Sequence, residues 1–406
     1  MKLVRVGSPE WERLCTRRAL PRRRVEERVR QILTDVRQTG DEALIRYTRR
    51  FDRVRLTSRQ LRVTEAERSG AFQHMDPNVV VHFKTAIQNV QAFYGRSRLK
   101  PVRIVNGDGV VLGEKLDPLE RVGIYIPGGT ASLVSTVYMT VIPARQAGVK
   151  QIALVTPPRK DGSVDPNILV MASLLRVEEI YRVGGAQAIG ALAYGTKTIP
   201  KVDKVIGPGN AYVQEAKRQV FGLVGVDTLA GPSEIAIIAN RYSNAQFVLT
   251  DLMAETEHAG GISFLITTSK ALARLARKQI PSGYCVVVKN LEEAAEAANM
   301  LAPEHLQLMV NSPRKLLKRI KHAGAIFLGS YSPVTVGDYI AGPSHVLPTG
   351  GAARIFSSLG VEDFIRKTHI IGYTKGALEK VREPIERLTM LEGLPRHFDS
   401  VKVRLT

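Results

Sequence analysis

Val122-Gly-Ile-Tyr-Ile126 is a short β-branched run that breaks at Pro127-Gly128-Gly129 and gives way to a stretch with helical spacing. The alternation then repeats. Ile152 to Thr156 leads into Pro157-Pro158, Ile180 to Val183 into Gly184-Gly185, and Lys204 to Ile206 into Gly207-Pro208-Gly209-Asn210. It resumes after Ser233 with Ile235 to Ala239, Ser263 to Thr267, Cys285 to Val288, Leu306 to Val310 and Ala325 to Leu328. Short apolar strands punctuated by Gly/Pro turns and helical stretches mark βαβ units and a parallel sheet. The reading is α/β, with two successive doubly wound domains. Such sheets bind ligands at the carboxyl ends of their strands, which is where the Gly-rich turns fall.

Outward from this centre the pattern changes. Val25 to Thr39, Asp41 to Arg50 and Pro77 to Arg96 carry apolar residues at helical spacing, so the first hundred or so positions read as helices with polar turns. Beyond Ser330 a Gly/Pro-rich loop runs through Gly351. Helices are expected from Val361 to Met390, and a final strand from Val401 to Leu405. That tail is too small to carry its own core and is expected to dock on something else.

At 406 residues the chain exceeds the size at which one core stops growing. With 44% hydrophobic and 24% charged residues it reads as an ordinary globular protein, and no apolar run approaches the ~20 residues that span a bilayer. Met1 to Arg5 runs into charged residues without a secretory apolar stretch. Two cysteines, Cys15 and Cys285, make no disulfide framework and no zinc spacing, so a reducing cytoplasm is the expected compartment. The formal charge is +20, but arginines such as Arg22, Arg23, Arg24, Arg28 and Arg30 interleave with Glu26 and Glu27 in a helical pattern. That is a salt-bridged, solvated helix face. No zinc finger, aromatic stacking motif or recognition helix accompanies it, so nucleic acid is not an expected partner. A basic surface would steer anionic cofactors.

Four acid and imidazole pairings gather the chemistry: Glu255 with His258, Glu304 with His305, Asp338 with His345, and Glu392 with His397. Glu255 and His258 are three residues apart near the end of a helix starting about Asn244, which puts them on one face. Such a pair can hold Zn, Mn or Co, or can be a surface ion pair at a helix C-terminus. Glu304-His305 opens an apolar strand and can serve as two proton-transfer groups, or as plain loop polarity. Asp338 and His345 flank a bend at Ala341-Gly342-Pro343. No Gly-x-Gly-x-x-Gly fingerprint is present, although Gly184-Gly185 and Gly207-Pro-Gly-Asn210 could admit a phosphate to a helix start.

Taken in order, the motifs Arg121-Val-Gly-Ile-Tyr125-Ile-Pro-Gly-Gly129, Val183-Gly-Gly-Ala-Gln187-Ala-Ile-Gly190, Gly207-Pro-Gly-Asn210 and Ala230-Gly-Pro-Ser233-Glu234 resemble those of the histidinol dehydrogenase family. So do Glu257-His258, Pro303-Glu-His-Leu306, Gly337-Asp338-Tyr339 through His345-Val-Leu-Pro348, and Leu391-Glu392-Gly-Leu394. The resemblance runs from about residue 10 to 405. It implies a zinc enzyme that oxidises L-histidinol to L-histidine in two NAD-dependent steps through L-histidinaldehyde. By position, Tyr125, Gln187 and Asn210 would bind NAD. Glu255, His258, Asp338 and His397 would hold zinc, and these four with Ser233, His305, His345 and Glu392 would contact substrate. Glu304 and His305 would handle protons.

The resemblance also implies a homodimer in which Glu392 and His397 reach the partner subunit's site. The implied fold is two incomplete Rossmann-like domains with small helical N- and C-terminal appendages. Residues 1–22 would form the first appendage, 23–124 with 236–358 one α/β domain, 125–235 the other with the NAD site, and 359–406 the exchanged tail. The chain departs from the family pattern in three places. Glu255 stands where glutamine is common, the stretch from Thr267 to Pro303 is short by about a helix and a loop, and Ala259-Gly260-Gly261 follows His258 where an acidic residue and proline are frequent. Another reading is a relative with the same zinc and NAD acting on a different polyol, such as a sulfonated diol. From a different class comes a basic binding protein without activity.

Overall fold

The computed structural model describes residues 1–17, 23–97, 99–128, 133–228, 231–258 and 260–406, and all side chains among them except that of His74. Arg22, Gly129, Ala230 and Ala259, named above, lie outside the described residues. Two compact units are present: Met1–Ser97 with Glu120–Asp363, and Arg98–Leu119 with Phe364–Thr406.

The larger unit holds two all-parallel sheets. One has five strands in the order Glu179–Arg182, Gln151–Thr156, Arg121–Tyr125, Lys204–Ile206 and Gly225–Val226. The other has six, ordered Lys2–Leu3, Tyr284–Val287, Ile262–Thr267, Glu234–Ala239, His305–Met309 and Ala325–Leu328. Apart from Lys2–Leu3, both follow one plan. The first strand is central, the next two extend to one side, and the chain then crosses to the other. This is the 3-2-1-4-5 order of a doubly wound sheet, whose crevice opens between the first and fourth strands.

Both faces of the six-stranded sheet are covered, which is why its strands read as continuous apolar runs. Ala236, Ile238, Phe264, Ile266, Leu306 and Leu308 pack toward Ala294, Ala298 and Leu301. Ile235, Ile237, Leu265 and Met309 pack toward Val248, Leu252, Leu272 and Ala276 on the other side. Each fully buried Ile, Leu or Phe among them contributes about 1.5–3 kcal/mol. The helices Arg23–Thr39 and Asp41–Phe51 share a core with the five-stranded sheet through Val29, Leu33, Val36 and Leu44, against Ile189 and Leu192.

Asp52 caps the second of these helices, and burial pushes its carboxyl up to about 6 from 3.8. The folded state therefore holds this proton more tightly, and stability falls as pH rises between those two values. Asp52→Asn is expected to be more stable than the parent by about 1 kcal/mol at pH 8, the full shift being discounted for partial exposure. The gain should vanish below pH about 4, which thermal melts at the two pH values will check.

In the smaller unit the tail differs from the sequence reading. A 3-10 turn at Val361–Phe364 is followed by a strand, Ile365–Gly372, between Phe364 and the helices Lys375–Lys380 and Arg382–Leu391. The strand pairs antiparallel with Val111–Pro118, which pairs in turn with Arg103–Val105. Ile365, Thr368, Ile370 and Ile371 suit a pleated surface, and the strand exists because a partner far away in sequence is available. The hairpin at Val105-Asn-Gly-Asp-Gly-Val110 carried a readable turn signal, since Asn106 Oδ1 accepts from the N–H groups of Asp108 and Val110. Val401 to Leu405 is not a strand. The helix Pro395–Lys402 runs into it, burying Phe398 and Val401 at a spacing of three with proline in its first turn. Leu388, Met390 and Leu391 remain exposed.

Candidate active site

Glu234 and His305 open neighbouring parallel strands, with His305 opposite Ile235. That register sets residues 234 and 304 side by side, and they exchange hydrogen bonds. Glu234 N–H donates to Glu304 Oε2 at 3.0 Å, and Glu304 N–H donates to Glu234 Oε1 at 3.2 Å. The Glu234 carboxylate also accepts from Arg17 Nε (2.7 Å) and Nη2 (2.6 Å) and from Gly350 N–H (3.0 Å). His305 Nδ1 lies 3.2 Å from the Glu234 carbonyl oxygen. A carbonyl only accepts, so Nδ1 carries a proton and Nε2 is the ring's free position. Nε2 stands 3.6 Å from Asp338 Oδ1 and, though buried, has no hydrogen-bond partner among the described residues.

The Ser233 side chain lies beside both Glu304 and Glu255 and favours the charged form of each carboxyl. Asn244 caps the helix Ala245–Ala254, which ends in a single 3-10 turn, Glu255–Glu257. The expected single helix face is therefore not there. Glu255 turns inward and is 4% exposed, while His258 leaves the turn in an extended conformation and is exposed. Gly261 makes this turn possible, because a Cβ there would lie 2.3 Å from the Glu255 carbonyl oxygen. Glu255 Oε1 is buried without a hydrogen-bond partner among the described residues.

Burial pushes the carboxyls of both Glu255 and Glu304 up to about 7. For His305 burial works against the cation, but Glu304, Asp338 and Glu255 outweigh it and raise the imidazole to about 9. His345 moves the other way, lowered by burial. Its Nδ1 lies 3.1 Å from the Asp338 carbonyl and its Nε2 3.4 Å from Thr136 Oγ1. Asp338 itself sits in the helix Val334–Tyr339. The larger unit thus brings together Ser233, Glu255, Glu304, His305, Asp338 and His345. Glu392 and His397 belong to the smaller unit, both exposed, at the end of Arg382–Leu391 and within Pro395–Lys402.

The cluster lies at the amino ends of its strands, against the expectation for such sheets. Free backbone N–H groups at that edge are what Glu234 and Glu304 bind. At the five-stranded sheet the Gly-rich turns sit at carboxyl ends, beside the crossover between Arg121–Tyr125 and Lys204–Ile206. There Tyr125 Oη accepts from Gly185 N–H at 3.1 Å, and Asn210 caps Ala211–Val220. Gln187 is 1% exposed, with Oε1 unbonded among the described residues. Gly207, at φ +119°, approaches so closely that a Cβ would fall 2.2 Å from the Tyr125 carbonyl oxygen. Its peptide is clamped on both sides. Asp227 Oδ2 accepts from Gly207 N–H at 2.7 Å, Lys217 Nζ donates to Gly207 O at 2.6 Å, and Lys217 pairs with Asp227.

Lys217 is wholly buried. Its position on the inner face with Val213, Ala216 and Val220 was a signal the sequence reading passed over. Nothing in the sequence marked Arg17. Lys217→Met leaves Asp227 buried without its cation and is expected to cost about 3–5 kcal/mol in urea unfolding. Lys217→Met with Asp227→Leu should cost much less, and equal costs would show that the pair is not what is lost.

Comparison with known proteins decides the family. A model of the histidinol dehydrogenase family matches residues 15–405. The chain belongs to the histidinol dehydrogenase family. It is 43% identical to the histidinol dehydrogenase of Bacillus cereus over 94% of this chain and 92% of that one. With the histidinol dehydrogenase of Clostridium acetobutylicum it shares 42% identity over 100% and 99%. The crystal structure of histidinol dehydrogenase from Elizabethkingia anophelis superposes with a TM-score of 0.93 at 34% identity, covering 100% of this chain and 98% of that one. As a member of this family the chain is an oxidoreductase of histidine biosynthesis. No helix among the described residues is long and apolar enough to cross a membrane.

Proposed function

We propose that this chain oxidises L-histidinol through L-histidinaldehyde to L-histidine, with NAD as acceptor, as a cytoplasmic homodimer that binds zinc. The observation that carries the reading is the buried His305, fixed through Nδ1 and open at Nε2, beside a carboxyl raised to about 7. At alkaline pH, once the ring raised to about 9 has given up its own Nε2 proton, His305 Nε2 takes the alcohol proton as the carbinol hydrogen leaves with its electron pair, and NAD supplies the hydride acceptor. Glu304 then removes a proton from water as its oxygen adds to the aldehyde carbonyl, giving a hydrate that gives up a hydroxyl proton to His305 and its second hydride to a further NAD to become the acid. Tyr125, Gln187 and Asn210 would bind NAD at the carboxyl edge of the five-stranded sheet. Ser233, His345 and Glu392 would bind substrate.

Among the described residues no three His, Cys, Asp or Glu stand close enough to form a metal shell by themselves. The residues nonetheless fit a shared one. Glu255 Oε1 is buried without a hydrogen-bond partner, Asp338 is close by, and two carboxylates with imidazole are a suitable donor set for zinc. Glu255, His258 and Asp338 would hold the ion with His397 of a second copy, and bound zinc would fix the substrate and polarise its oxygen. We read residues 23–124 with 236–358 and residues 125–235 as the two domains, and 359–406 as the exchanged tail.

Purified protein stripped of metal and reloaded with zinc should produce NADH from L-histidinol at alkaline pH and bind one zinc per subunit. A folded, metal-loaded protein that produces none from L-histidinol but some from another alcohol would overturn the substrate.

A further inference from the structure

We infer that Glu234 is the positioning residue for both proton-handling groups, and that Arg17 is what allows this anion to stay buried, so the N-terminal segment governs turnover without touching substrate. The inference rests on the roles given above to Glu304 and His305. Three separate groups of Glu234 are in use. Its N–H holds Glu304 Oε2, its Oε1 receives the Glu304 N–H, and its carbonyl receives the His305 Nδ1 proton. One residue thereby fixes the direction of a carboxylate and the rotation and tautomer of an imidazole. Its Oε1 also receives Gly350 N–H, from the loop that follows His345.

Such a carboxylate, 1% exposed, is costly unless paired. Arg17 pairs it with both ends of a fork, Nε on Oε2 and Nη2 on Oε1. The remaining Nη1 donates to the carbonyls of Leu14 and Leu301, the last turns of Pro9–Cys15 and Leu291–Leu301, so the guanidinium is itself held on two helices. Its carbon lies 5.2 Å from the Phe264 ring centroid. A lysine ammonium could match the charge but not this planar, bidentate geometry.

The test compares two double variants of the full chain, Arg17→Met/Glu234→Met and Arg17→Met/Glu234→Gln, with L-histidinol and NAD. Removing the pair together leaves no orphaned charge, so both are expected to fold, and because the N–H and carbonyl of residue 234 remain, the variants read what its carboxylate does in holding the Glu304 and Gly350 N–H groups. The methionine pair should lose roughly 100-fold in kcat, with KM for both substrates within about threefold, as misplacement of reacting groups does. The glutamine variant should recover about tenfold of that, because an amide oxygen can still accept from Glu304 and Gly350 N–H. Unchanged kcat, a loss confined to KM, or no recovery by glutamine would overturn the inference. If the methionine pair does not fold, Arg17→Lys serves instead: kcat should fall about tenfold at constant KM, and a parental kcat overturns the idea. His305→Ala separates the two layers. Turnover surviving in it sinks the assignment beneath, whereas an inactive His305→Ala beside a fully active methionine pair sinks only the positioning role.

Discussion

His305→Ala is expected to lower turnover of L-histidinol by about 10²–10⁴, the range for removing a positioned general base. Glu304→Ala should lose a comparable factor, because the aldehyde then lacks a group to activate water. Both variants should keep their metal, since neither residue is among the proposed ligands. The distinction is sharp because the two clusters are so close. Ser233 lies beside both Glu304 and Glu255, and His305 Nε2 is 3.6 Å from Asp338. Steady-state kinetics with metal analysis of the same samples decides it. Metal lost from both variants would mean that the roles of the two clusters are exchanged.

The second large effect comes from mixing. If His397 completes the site of a partner subunit, His305→Ala and His397→Ala homodimers should each be nearly inactive alone. After denaturation and refolding together, half of the dimers are mixed, and each mixed dimer has one site with both residues intact. About a quarter of all sites should then work. An inactive mixture of folded dimers would place both residues in the same site of one chain. The exposed position of His397 and the exposed Leu388, Met390 and Leu391 beside it are what an exchanged tail requires.

The strands were readable because each is a short β-branched run closed by Gly or Pro. Apart from the two-residue edge strands Lys2–Leu3 and Gly225–Val226, which were not read, the strands of both buried sheets consequently fall within a residue or two of the positions read from sequence, as Arg121–Tyr125 and His305–Met309 do. The Ile365–Gly372 strand was missed because its stability comes from Val111–Pro118, whose location no local pattern reports. Pairing within the site was partly visible. Glu304 and His305 are adjacent in the chain, so their proximity came free. The helical spacing of Glu255 and His258 misled, because the chain tightens into a 3-10 turn after Ala254 and separates an inward carboxylate from an exposed imidazole. Glu234 and Arg17 were out of reach for a different reason. Their contacts span 217 positions, and those of Glu234 with Glu304 span 70, set by which strands lie side by side.

The central claim is that one site, with His305 and Glu304 as its proton carriers, performs both oxidations. The direct measurement is NADH formed per L-histidinol consumed, with the product identified in the same reaction. Two NADH for each L-histidine, without free aldehyde, is the predicted result. One NADH per substrate, with histidinaldehyde released as the final product, would contradict it.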